Sequence, residues 1–89
     1  MMPQYSRPEV EFLLSNYLVR HESFMDYWMD LVPALNQLDS KVKTVVYMHG
    51  VHDVPFTEIA ELEGMTREGA RKKYNRGIDQ LLELMNGKA

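Results

Sequence analysis

Phe56-Thr57-Glu58-Ile59-Ala60-Glu61-Leu62-Glu63-Gly64-Met65-Thr66-Arg67-Glu68-Gly69-Ala70-Arg71 is the stretch that decides the fold. It divides at a glycine into a short helix, roughly Phe56 to Glu63, that buries Ile59, Ala60 and Leu62, and the start of a second helix. Two helices that meet at a steep angle need a small residue where their backbones approach, and Ala60 supplies it. The turn needs a residue free to take positive φ, and Gly64 supplies that. Met65 fills the space beneath the turn, and Thr66 caps the second helix by accepting a bond from a backbone N–H of its first turn. Ile59, Leu62 and Ala70 then close a small core between the two. A generic helical hairpin shares this grammar, so the purpose of the pair must come from what its surface carries.

The second helix is expected to run from Thr66 to about Asn86, with Ala70, Tyr74, Ile78, Leu81, Leu82 and Met85 as its inward stripe. Its outer face is where the charge of the chain changes sign. The whole sequence is acidic, net −3. Residues 1–66 hold four basic side chains (Arg7, Arg20, Lys41 and Lys43) against ten acidic ones. Residues 67–76 hold Arg67, Arg71, Lys72, Lys73 and Arg76 against Glu68 alone. Half of the positive charge therefore lies in ten consecutive residues. A cluster of this kind is an electrostatic footprint that the net charge hides, although a solvated helix face can also carry one.

The spacing gives the cluster two parts. Arg67 and Glu68 stand in the first turn and Arg71 one turn later on the same side. An N-terminal end entering the major groove would offer these three to base edges, Arg to guanine and Glu to the cytosine amine. Lys72, Lys73, Asn75 and Arg76 suit phosphates, which position a protein without reading sequence. Gly69, costly inside a helix by about 1 kcal/mol against Ala, would permit close approach to DNA.

Upstream the chain is also helical. Ser6-Arg7-Pro8-Glu9 has Ser at the cap, Pro just inside and Glu three residues after Ser. Val10, Leu13, Leu14, Tyr17 and Leu18 recur at helical spacing, and the stripe resumes at Phe24, Met25, Trp28, Leu31, Val32 and Leu35. Arg20-His21-Glu22-Ser23 is either a break with Ser23 as a second cap or one exposed turn. Pro33 is expected to kink or end the helix near Val32, because it lacks a donor N–H. Asp39 or Ser40 caps the next helix, with Val42, Val45 and Val46 inward and Gly50 as its stop. Val51 to Pro55 is a loop. Val42 to Tyr47 is β-branched, yet nothing else could complete a sheet. The expected fold is all-α: a small helical bundle with a C-terminal helix-turn-helix.

At these residues a family resemblance is visible. Leu38 to about Leu84 resembles the fourth region of bacterial sigma factors, the part that binds the −35 promoter element. The residues that carry it are Glu58-Ile59-Ala60, Gly64-Met65-Thr66, Arg67-Glu68, Ala70-Arg71 and Leu81-Leu82. The resemblance implies that Arg67, Glu68 and Arg71 contact bases. Glu63 departs from it, standing where an apolar residue is usual, and so does Gly77, standing where Ala is usual. Residues 1–37 are too short for the second sigma region and lack its basic-aromatic melting segment, so the chain looks like a stand-alone domain. The Ile59-Ala60-Glu61-Leu62-Glu63-Gly64 form of its motif is similar to that of small sigma-like regulators of phages and conjugative elements.

The expected organisation is one domain over 1–89, with residues 1–37 an N-terminal helical segment and 38–86 the region 4-like part. At 89 residues there is room for one core, and there is no cysteine to staple it; a homodimer would add buried area. No apolar run reaches the roughly 18 residues of a membrane span, and no signal motif opens the chain, which makes the cytoplasm the expected location. His49 and His52 are three apart, but neither a cysteine nor a third ligand accompanies them, so no metal or other cofactor is expected. The acidic pairs Glu61/Glu63 and Asp26/Asp30 suit solvated helix faces better than acid/base chemistry, and no nucleophile motif or glycine loop points to an enzyme. The leading expectation is a sequence-specific transcriptional regulator whose partner is double-stranded DNA. The alternative is a protein-binding adaptor, for instance docking on RNA polymerase without touching DNA, which the acidic first two-thirds and the aromatic N-terminal helix would suit.

Overall fold

The computed structural model describes residues 4–18 and 25–87. Five α-helices follow one another: α1 Arg7–Ser15, α2 Met25–Asn36, α3 Ser40–Val46, α4 Phe56–Glu63 and α5 Arg67–Met85. There is no strand among the described residues. The all-α expectation holds, and the caps explain where the helices begin. The Glu9 carboxylate accepts from the Ser6 N–H at 3.2 Å and from its hydroxyl at 2.8 Å, so the N3 side chain reaches back to the cap residue and fixes the helix start. Asp39 caps α3 by accepting from the Lys41 N–H at 3.3 Å.

α5 is the helix on which α1, α2, α3 and α4 all converge. One core joins them: Val10, Leu13 and Leu14 from α1, Trp28, Leu31, Ala34 and Leu35 from α2, Val42, Val45 and Val46 from α3, Ile59 from α4, and Ala70, Tyr74, Ile78 and Leu81 from α5. The edge of Tyr17 closes one end, meeting Trp28 at 4.9 Å and Tyr47 at 5.5 Å between ring centroids.

Four expectations are corrected. Pro33 does not end the helix near Val32: α2 continues through it to Asn36. Pro33 is exposed, so water can reach the carbonyl that its missing N–H would have satisfied. Gly50 does not stop α3; the helix widens into a π turn over Tyr47–Val51, closed by the His52 N–H on the Tyr47 carbonyl at 3.1 Å. A Cβ at Gly50 would lie 3.0 Å from Leu14 Cδ1, so this glycine lets α1 approach rather than ending a helix. The stop comes at Asp53, whose φ of 56° lies in the left-handed region, where Asp is better tolerated than most residues. Leu18 and Leu62, expected inside, are 69 % and 63 % exposed. Leu18 falls in the turn after α1 and Leu62 on the outer side of α4, where Ile59 alone of its helix is fully buried. The stretch Arg20 to Ser23, Phe24 and His21 lie outside the described residues.

Candidate nucleic-acid interface

The turn between α4 and α5 is built by backbone chemistry. Gly64 ends α4 at φ 65°, ψ 41°, and the Met65 N–H reaches back to the Ala60 carbonyl at 3.0 Å, the six-residue closure of a Schellman turn. A Cβ on Gly64 would touch nothing, so its conformation rather than space demands glycine. Met65 is half-buried against the core beneath the turn. Thr66 Oγ1 then accepts from the Gly69 N–H at 2.9 Å, capping α5 as its sequence position implied. A Cβ at Gly69 would come within 3.0 Å of that same oxygen, so Gly69 leaves room for the cap. Glu63 is solvent-facing.

From this start, α5 turns Ala70, Tyr74, Ile78 and Leu81 inward and its cations outward. Arg67, Arg71, Lys72 and Arg76 are exposed, and Lys73 is half-buried. Arg71 forms an ion pair with Glu68, its Nε lying 3.2 Å from both carboxylate oxygens. That hydrogen bond holds the Glu68 carboxyl below its usual range and raises the Arg71 guanidinium further. Two of the three side chains expected at base edges, Glu68 and Arg71, are thus joined to each other. Lys73 and Arg76 border a shallow cleft completed by Asp39, Lys41, Val42 and Gln80. Lys41, from α3, was missed as part of the basic surface because only the fold brings it beside α5.

Asn75 is placed differently from the other polar residues of the cluster. Its side-chain oxygen accepts a hydrogen bond from Arg7, and Arg7 also pairs with Glu11 at 3.5 Å. Glu11 in turn accepts from the Tyr74 hydroxyl at 2.7 Å, and burial together with that bond raises the Tyr74 pKa. The expected recognition helix is therefore held by two side chains of α1 one turn beyond Arg71. The only sequence signal for this was that Arg7 and Glu11 lie one helical turn apart. His49 stacks on Phe56 at 4.0 Å, with Nδ1 2.9 Å from the Val54 carbonyl oxygen, and His52 is exposed.

A capped helix-turn-helix with a basic second helix is a known class of module, and the chain belongs to a particular family of it. Residues 29–81 match the family of sigma-70, region 4, from inside α2 to Leu81 of α5. Domains of this family are DNA-binding, RNA-polymerase-associated regulatory modules rather than enzymes. No curated protein and no solved structure matches the chain significantly. No helix among the described residues is long and apolar enough to cross a membrane.

Proposed function

We propose that this protein is a cytoplasmic, sequence-specific DNA-binding transcriptional regulator that lays the start of α5 in the major groove. The observation that carries the reading is the placement of Arg67, Arg71, Lys72 and Arg76 on the exposed side of a helix whose first turn is capped and freed by the Gly64 turn. Arg67, Glu68 and Arg71 face base edges, and Lys72, Lys73 and Arg76 hold phosphates. Asn75, whose oxygen is engaged by Arg7, offers a phosphate its amide N–H groups. A homodimer would set two such helices on half-sites about 34–36 Å apart. The whole chain is one domain in this reading, with α1 buttressing the recognition helix.

The test is a titration against duplex DNA at several salt concentrations. Neutralising about four to six phosphates gives a slope of log affinity against log salt of about −0.9 per phosphate. Lys72→Ala is expected to weaken all sequences alike and flatten the slope by about one. Arg71→Ala is expected to cost about 1–3 kcal/mol on the preferred site and relax the preference at one base position. Thr66→Ala acts indirectly, removing about 1 kcal/mol of helix start and loosening the orientation of α5. Equal losses for all three variants on every sequence would mean a non-specific electrostatic patch. Absence of DNA affinity at low salt, with firm binding to RNA polymerase, would make the chain an adaptor instead.

A further inference from the structure

The face of α1 turned away from α5 borders a second concavity. With about 100° between successive helical residues, Arg7 and Glu11 share one edge of α1, and Pro8, Glu9 and Phe12 share another. The first edge is occupied by α5 through Asn75 and Tyr74. The second edge lines a mostly apolar groove of about 310 Å³, completed by Tyr5, Leu13 and Tyr27. One wall of it is held in place: Tyr5 and Tyr27 meet edge to face at 6.1 Å, and the Tyr5 hydroxyl donates to Asp30 at 2.6 Å. Phe12 is 54 % exposed and Tyr27 42 %. A fixed aromatic wall beside exposed apolar rings is the composition of a recognition surface.

Among the described residues the rim has one sign. Glu9 lines the groove, and Asp26 and Asp30 flank Tyr27 on α2. Arg7 is the sole cation in α1 and α2, and it is bound to Glu11 and Asn75 on the other edge. We propose that this groove docks an apolar anchor side chain presented by a basic amphipathic helix of a partner protein. Charge complementarity fixes the sign of the partner and excludes duplex DNA from this face. A second copy of the chain fits less well, because its basic run lies on α5, whose apolar stripe is buried in its own core. The volume suits one anchor residue rather than a whole helix, with the basic flanks meeting the acidic rim. All six lining residues precede residue 29, where the match to the family begins. The groove is therefore separate from the surface the family shares, and the proposal stands or falls independently of DNA binding.

The experiment is an NMR titration of the full chain with two synthetic helical peptides. Both carry Leu at i, i+3, i+4 and i+7; one has Lys at the remaining positions and the other Glu. The Lys peptide is expected to shift the amides of Tyr5, Phe12 and Tyr27 saturably and to bind at least about tenfold more tightly than the Glu peptide. Glu9→Gln, which keeps a carbonyl acceptor for Ser6 and so preserves the start of α1, weakens that binding severalfold. Phe12→Ser abolishes the shifts while the rest of the spectrum is retained. Equal binding of both peptides, unaltered affinity in both variants, or shifts centred outside the groove would overturn the proposal. So would the same shifts on raising protein concentration alone, which would make the occupant a second copy.

Discussion

Gly77 has no room for a side chain. A Cβ there would overlap Val46 Cγ2 and lie 2.9 Å from Val42 Cγ1, and both valines are buried and stiff at χ1. The departure at this position, glycine where the resembling sigma regions usually carry alanine, thus has a local cause: two β-branched residues of α3 fill the space a methyl would take. Gly77→Ala poses helix propensity against packing. Propensity favours Ala by about 1 kcal/mol, whereas forcing a methyl into a filled core costs about 1–3 kcal/mol. Because the nearer valine atom would be in outright overlap, the packing cost is expected to win and the variant to unfold at lower urea. In a Val46→Ala background the nearer overlap is gone and only the 2.9 Å approach to Val42 Cγ1 remains, so the same substitution should cost clearly less. Equal effects in the two backgrounds would show that α3 and α5 are not in the contact described.

At the scale of elements, α4 and α5 were legible because their signals are local. The Gly64 turn, the Thr66 cap and the 3.6-residue stripe each reside within a few residues of the feature they specify, and the bounds Phe56–Glu63 emerged as read. What escaped depends on partners distant in sequence. Pro33 continues a helix on the solvent side of α2; Gly50 sits within a π turn, where a side chain would press on Leu14. Asn75, read as a free phosphate ligand, is engaged because α1 brings Arg7 to it. The Glu68–Arg71 pair was legible as a spacing but not as a competition. Tied to Glu68, Arg71 must exchange that partner for a base or phosphate on binding DNA. Glu68→Gln is therefore expected to raise affinity for non-specific DNA and to steepen the salt slope by up to about one, since it releases a cation and removes a repelling carboxylate. Affinity is expected to drop only on a site whose cytosine Glu68 contacts. The measurement is fluorescence anisotropy on a random and on a selected duplex; a loss on both would mean that Glu68 orients Arg71 rather than restraining it.

For the whole molecule, the ties of the N-terminal segment to the rest of the fold set both its pH limit and its minimal length. Burial first, and then hydrogen bonds to Asp30, Tyr17 and Glu11, raise the pKa values of Tyr5, Tyr47 and Tyr74; that of Tyr47 is pushed up to about 12. A tyrosine whose folded pKa is raised stabilises the fold fully below its unfolded value of about 10, and the contribution is lost as pH rises through the folded value. Helicity by circular dichroism should thus hold to about pH 10 and fall from there to about 12, as tyrosinate absorbance rises. Absorbance rising well before helicity is lost would place these hydroxyls in water. The same ties decide whether residues 1–36 are part of the fold or an appendage. The family match begins at residue 29 and leaves out α1, yet among the described residues Val10, Leu13, Leu14, Trp28, Leu31, Ala34 and Leu35 of the buried core come from α1 and α2. Fully burying one such aliphatic side chain is worth about 1.5–3 kcal/mol, so losing them together is as large as the roughly 5–15 kcal/mol of net stability typical of a whole domain. Removal would also uncover the Ile78 and Tyr74 side of α5 and leave the Leu14 hollow beside Gly50 open. The fragment 37–89 is therefore expected to lack a cooperative thermal transition, and Leu14→Ala in the full chain to cost about 2–5 kcal/mol. If that fragment instead melts like the intact chain, α1 and α2 are dispensable to the core, and the Arg7–Asn75 and Glu11–Tyr74 contacts are consequences of the fold rather than supports of the recognition helix.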